Sequence, residues 1–142
     1  MKTKFIIAGT GNRGLGCFAK GLMGFKNKGL PEFAERAEIA AFVETNPKRG
    51  RASAKEANLP DLPVYPNVTE AQKAVKADWA IVTTPDFTHQ KVVCEALKAG
   101  LNVLVFKVVQ SGPAWGGSVW ITGADGGPVP GIKVTLDADA VR

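Results

Sequence analysis

Nearly unbroken apolar runs at Phe5–Ala8, Ile39–Val43, Trp79–Thr83 and Asn102–Phe106 are separated by stretches with apolar or small residues at helical spacing: Leu15–Phe25, Lys48–Ala57, Glu70–Lys76 and Phe87–Ala99. Apolar runs without polar alternation belong to strands buried on both faces, as in a parallel sheet. The alternation of strand and helix therefore predicts an α/β fold, a doubly wound parallel sheet with right-handed crossovers. Lys26–Glu38 lengthens the first crossover and is read as a loop with one extra helical turn after Pro31. Val64-Tyr65-Pro66 reads as a short edge strand, where proline is tolerated. Asn46-Pro47 supplies an N-cap with proline at the first helical position, and Gly100 ends the helix that begins near Asp86.

After Val109 the pattern changes to Gln-Ser-Gly-Pro-Ala-Trp-Gly-Gly, followed by Ser118–Thr122, Asp125-Gly126-Gly127-Pro128 and Ile132–Leu136. Two short strands around a glycine- and proline-rich connection are expected there, with no helix between them. Residues 1–109 are thus expected to form one domain, and 110–142 a tail that is not a domain of its own.

The first strand breaks directly into Gly9-Thr10-Gly11-Asn12-Arg13-Gly14, the G-x-G-x-x-G spacing of a dinucleotide-binding turn. Each glycine has a mechanical role in that reading. Gly9 allows the tight turn, Gly11 removes a side chain where a pyrophosphate approaches, and Gly14 lets the following helix pack on the strand. The pyrophosphate would rest on the helix N-terminus, where free N–H groups and the helix dipole favour an anion, and Arg13 can add a charged contact. A glycine-rich turn without a ligand is the alternative, but the preceding strand, the following helix and an acidic residue after the second strand are the context the motif requires.

Ligands of open α/β sheets bind outside the carboxyl ends of the strands. Glu44 ends the second strand, where a carboxylate accepts from an adenosine ribose and repels a 2′-phosphate, which favours NAD over NADP. Lys48, Arg49 and Arg51 pull the other way, although a solvated basic helix face explains Lys48 and Arg51 better. The cofactor is read as NAD or NADP, with the carboxylate tipping the balance towards NAD. Thr83-Thr84-Pro85 closes the fourth strand and is placed to line the cofactor, with His89, the one histidine, just beyond. A capping or surface role competes evenly with a functional one for His89.

Composition changes this picture little. With 142 residues the chain is long enough for one domain core. Eighteen Lys and Arg against thirteen Asp and Glu give a net charge of +5. These are scattered and form no basic run interleaved with aromatics, so surface charge is read in place of nucleic-acid binding. No segment reaches the roughly 18 apolar residues of a membrane span, and the amino-terminal apolar run is too short for a secretory signal, so the cytoplasm is the expected location. Cys17 and Cys94 lack metal-ligand spacing and are expected to be reduced, buried packing residues.

Several motifs together are more specific than the glycines alone: Gly9–Gly14, Glu44 with Asn46-Pro47 and Arg49, Thr84-Pro85 with His89, and Ala96-Leu97-Lys98-Ala99-Gly100 running into Asn102-Val103-Leu104-Val105. Through these the chain from Lys4 to about Lys107 resembles the cofactor domain of the Gfo/Idh/MocA oxidoreductases. The resemblance implies a Rossmann-type domain, NAD(P) binding and hydride transfer to or from a sugar, cyclitol or related hydroxyl carbon, or the NAD-dependent glycosidase variant of that chemistry. It also implies that Lys107 lies beside the nicotinamide and binds or polarises the substrate hydroxyl, a role with which an ordinary lysine at a strand end competes evenly. The family pattern there is Glu-Lys-Pro, whereas this chain has Phe106-Lys107-Val108. Family members continue into a substrate domain that the tail does not resemble, so a truncated or altered chain, a non-catalytic dinucleotide-binding module and a strand-mediated homo-oligomer stand as alternatives.

Overall fold

A computed structural model describes residues 1–23, 31–103, 105–111 and 114–120. The chain divides into two compact units, Met1–Val103 and Leu104–Arg142. In the first, β1 (Thr3–Ala8) leads into a π-helix (Asn12–Ala19) that continues as one α-helical turn, α1 (Lys20–Leu22). The crossover returns through α2 (Pro31–Arg36) to β2 (Ala37–Val43). There follow α3 (Pro47–Glu56), β3 (Val64–Tyr65), α4 (Val68–Val75), β4 (Trp79–Val82), α5 (Asp86–Lys98) and β5 (Asn102–Val103).

The five strands are all parallel, in the order β3-β2-β1-β4-β5. Strand order therefore reverses between β1 and β4, and the crevice outside their carboxyl ends is where a doubly wound sheet receives a ligand.

Each sheet face carries its own core. On one, Ile6, Ala8, Ala41 and Val43 pack with Val68 and Ala71 of α4 and Ala96 of α5. On the other, Ile7, Ile39 and Phe42 pack with Leu15 and Ala19 of the π-helix and Ala54 of α3. Ile39 and Phe42 share a face although three apart, because the register steps from Phe5↔Ile39 to Ile6↔Ala41 and leaves Ala40 as an extra residue. The many buried alanines let the helices approach the sheet closely.

The expected helix after the glycines begins earlier than Leu15 and has π character over most of its length, with the Lys20 N–H reaching back to the Leu15 carbonyl. Its expected end at Phe25 lies outside the described residues. The extra turn after Pro31 is present as α2, and Val64-Tyr65 is the edge strand. The Asn46 side chain caps α3 by accepting from the N–H groups of Lys48 (3.1 Å) and Arg49 (3.2 Å).

Two expectations are corrected. The fifth strand does not run to Phe106: among the described residues only Asn102 and Val103 pair with β4, and Val105 and Phe106 belong to an antiparallel ribbon. That ribbon, the described part of the second unit, consists of β6 (Val105–Ser111) and β7 (Ala114–Trp120), paired from Val105↔Trp120 to Ser111↔Ala114. The change of composition at Val109 thus falls inside a strand, because Val105, Val108, Val109, Trp115 and Val119 all suit an extended pair despite the intervening glycines. Of the strand expected over Ser118–Thr122, Ser118 to Trp120 form the end of β7; Ile121 and Thr122, like Ile132–Leu136, lie outside the described residues. Secondly, Cys17 and Cys94 are exposed free thiols instead of packing residues. Leu15 and Ala19 take the inward side of one helix and Ala96 that of the other, which leaves the cysteines on the outward side.

Candidate dinucleotide site

The site begins where β1 stops. Gly9 donates its N–H to the Val43 carbonyl (2.8 Å) and adopts φ +92°, which side chains rarely tolerate. A Cβ there would also stand 2.8 Å from backbone atoms of Thr83 and Thr84. At Gly14 a Cβ would overlap the Gly9 carbonyl oxygen and come within 2.6 Å of Thr83 Oγ1. Both glycines are therefore demanded by the protein itself, one by conformation and contact, the other by contact.

Gly11 differs. Its backbone is extended (φ −70°, ψ −172°), and a Cβ would meet nothing within 4 Å. Neither strain nor packing accounts for glycine here, whereas a ligand approaching the backbone would. Gly11 also precedes the π-helix, whose start has no side-chain cap. A cavity of about 510 Å³ opens over it, lined also by Thr10, Asn12, Lys20, Arg49 and Ser53. That volume is within the usual range for small-molecule sites.

The Thr83 hydroxyl lies 2.8 Å from the Gly9 carbonyl oxygen and 3.1 Å from that of Ala8, tying the end of β4 to the turn. Its single proton is shared between them. Thr83→Val is expected to cost about 1–2 kcal/mol, read by urea denaturation, since it leaves two carbonyls without this donor. An unchanged midpoint would show that the clamp contributes nothing.

Glu44 is buried, and its carboxylate is saturated. Oε2 accepts from Thr10 Oγ1 (2.8 Å), Thr10 N (3.3 Å) and Arg49 Nε (3.0 Å). Oε1 accepts from Arg49 Nη2 (2.6 Å), Asn46 N (3.1 Å) and Thr45 Oγ1 (3.4 Å). Burial pushes the carboxyl up, but the Arg49 guanidinium, the Asn46 amide and Thr10 together outweigh it and hold the pKa at about 2. Arg49 is raised in turn by the same pair.

The structure brings Gly9, Thr10, Gly14, Glu44, Arg49 and Thr83 into one hydrogen-bonded and packed cluster, with Gly11 and Asn12 on the cavity wall. Arg13 is exposed, its Nη1 3.9 Å from Cys17 Sγ. Lys48 and Arg51 are exposed on α3. Thr84 and Pro85 form the turn into α5. The Thr84 hydroxyl oxygen is buried without a partner among the described residues. The His89 ring nitrogen Nε2 lies 2.5 Å from the Thr84 carbonyl oxygen, so it carries the proton and braces this turn. Lys107 lies on β6 opposite Ser118, in the second unit.

Sequence reasoning missed Ser53, whose hydroxyl donates to the Thr10 carbonyl (3.4 Å), and the Lys20–Glu56 ion pair (2.7 Å) on the cavity wall. Ser53 could have been found, because it follows Arg49 by one helical turn. Among the described residues no cluster of His, Cys, Asp and Glu could hold a metal ion, and no helix is long and apolar enough to cross a membrane.

The fold is shared with solved dehydrogenases. The chain is similar to myo-inositol 2-dehydrogenase from Lactobacillus plantarum (18% identity, TM-score 0.57, 72% of this chain and 27% of that one). It is likewise similar to scyllo-inositol dehydrogenase from Lactobacillus casei, solved with NAD(H) and scyllo-inositol (19%, 0.57, 72% and 27%). A third is the WlbA dehydrogenase from Bordetella pertussis, solved with NADH and UDP-GlcNAcA (21%, 0.56, 72% and 28%). This chain spans only about a quarter of the length of each. No curated protein matches it by sequence. The family model of an oxidoreductase family with an NAD-binding Rossmann fold matches residues 4–107, from the first strand through the glycine turn, Glu44 and Thr83-Thr84-Pro85 to Lys107. With that match over most of its length and the turn folded as described, the chain belongs to the Gfo/Idh/MocA oxidoreductase family.

Proposed function

We propose that this chain binds a nicotinamide dinucleotide with its pyrophosphate over Gly11, and that it is the cofactor half of an oxidoreductase acting on a sugar, cyclitol or similar hydroxyl compound. The observation that carries the reading is Gly11, a glycine in ordinary extended conformation whose Cβ would project into open space beside a cavity of about 510 Å³. The uncapped start of the π-helix supplies N–H groups for an anion. Thr10 and Thr83 fix the backbone around it, and Thr84, Pro85 and His89 shape the neighbouring turn.

A bound nicotinamide would supply hydride transfer. Lys107 is assigned by resemblance to hold the substrate hydroxyl and bias its proton. The substrate class is supported by the two inositol dehydrogenases of the same fold and by the dehydrogenase solved with UDP-GlcNAcA. A second reading, a dinucleotide-binding module without turnover, is favoured by Phe106 and Val108 standing where the family has glutamate and proline.

Calorimetric titration with NADH tests the binding step. Saturable binding is expected, weakened at least about thirtyfold by Gly11→Asp, because the new carboxylate occupies the pyrophosphate position and repels it. The substitution strains nothing, so its melting temperature should match the wild type. Equal binding by the variant would remove the pyrophosphate from Gly11. A polyol and inositol panel monitored by NADH absorbance then separates an enzyme from a module.

A further inference from the structure

The acidic residue after the second strand is not available to a ligand. Glu44 has a side chain only 2% exposed, and six donors surround oxygens that offer about four lone-pair sites. An adenosine ribose hydroxyl therefore finds no free acceptor there. What stands at this end of the cavity is Arg49, 58% exposed. Its Nε and Nη2 edge is spent on Glu44, and Nη1 makes no hydrogen bond among the described residues. Lys20 lines the same cavity, held by Glu56, whose side chain is 59% exposed. An exposed ion pair of this kind is weak and readily exchanged for another anion. The two cations thus face the cavity, the Glu56 carboxylate on its wall is paired with Lys20, and Glu44 is buried behind its own counter-ion.

We infer that Arg49, not Glu44, meets the adenosine ribose, and that the site accepts the 2′-phosphorylated dinucleotide on nearly equal terms with the unphosphorylated one. The inference rests on the dinucleotide reading above. A 2′-hydroxyl accepts one hydrogen bond from the guanidinium, while a 2′-phosphate adds to it the attraction between opposite charges. That gain offsets the residual repulsion from Glu44. Arg49 has a second effect, since it occupies the carboxylate that would otherwise accept from a ribose hydroxyl.

The experiment is calorimetric titration of the full chain with NADH and NADPH, in the wild type and in Arg49→Ala, with melting curves to verify folding. Wild-type dissociation constants are expected within about tenfold of one another. In Arg49→Ala, NADPH binding should weaken by more than about tenfold and NADH binding by less than about threefold, because the freed carboxylate now accepts from the 2′-hydroxyl. Should that variant not fold, the wild type alone still decides the matter. Raising salt from about 50 to about 500 mM must weaken NADPH binding several-fold more than NADH binding if a guanidinium holds the 2′-phosphate. A wild type that binds NADH and discriminates against NADPH by more than about a hundredfold overturns the inference and leaves the dinucleotide site standing. An unchanged preference in Arg49→Ala, or equal salt dependence, also overturns it. A folded wild type that binds neither dinucleotide removes both readings.

Discussion

Replacing Gly14 with alanine is expected to unfold the first unit or to lower its melting temperature by more than ~10 °C, measured by circular dichroism. The added Cβ would overlap the Gly9 carbonyl oxygen and stand 2.6 Å from Thr83 Oγ1. Overpacking of a core typically costs about 1–3 kcal/mol when flexible side chains can give way. Here the obstacle is backbone. Gly9 cannot retreat, because it sits at φ +92° against Thr83 and Thr84 and is tied to Val43. The cost should therefore exceed the upper end of that range, and each kcal/mol moves the melting temperature of a domain this size by about 4–8 °C.

Gly11→Ala is the control. Its backbone needs no change, so alanine should leave stability level or raise it by up to about 1 kcal/mol through the unfolded state. A Gly14→Ala protein that melts with the wild type would mean that the helix can move off the strand end. That would also loosen the argument that Gly11, of the three glycines of the turn, is the one without a structural reason to be glycine.

Much of this was visible in the sequence, and the reasons are local. The unbroken apolar runs announced parallel strands because both faces of each are covered, and Asn46-Pro47 announced the start of α3 because capping is decided within three residues. The glycine spacing announced the turn, although not which glycine the protein needs for itself. That distinction depends on Thr83, far along the chain, arriving against Gly9 and Gly14. The π-helical winding of Asn12–Ala19 and the extra residue at Ala40 were not legible, because both adjust a local repeat to tertiary packing. The early end of the fifth strand was hidden for a similar reason: a β-prone run from Asn102 to Val109 does not say which partner it pairs with.

Glu44 is the sharpest case. Its position after the second strand was legible and its occupancy was not. Thr10, on another loop, and Arg49, in the first turn of α3, take up the carboxylate together, and neither contact is a matter of sequence spacing alone.

The same contacts make Glu44 the group through which acid should weaken the fold. Its pKa is about 2 in the folded chain against 4.5 for a free glutamate. A carboxyl depressed on folding binds fewer protons in the native state than in the unfolded one, so stability falls with pH wherever the two differ. The contribution is fully present above about pH 4.5 and is lost progressively as pH drops towards about 2. The shift sets an upper value of about 3 kcal/mol for this one group. Arg49 stays charged throughout, so it does not compensate; once Glu44 is protonated, the guanidinium loses its partner and Thr10 loses its strongest acceptor. Glu44→Gln keeps the shape and an acceptor oxygen but cannot titrate. Urea denaturation of both proteins between about pH 6 and pH 2.5 should therefore show the wild type more stable at the upper end and the two curves converging in acid, with most of the convergence below about pH 4.5. Parallel curves would mean that the Glu44–Arg49 pair contributes no net stability. The carboxylate would then be as available to a ribose hydroxyl as its place after the second strand suggests.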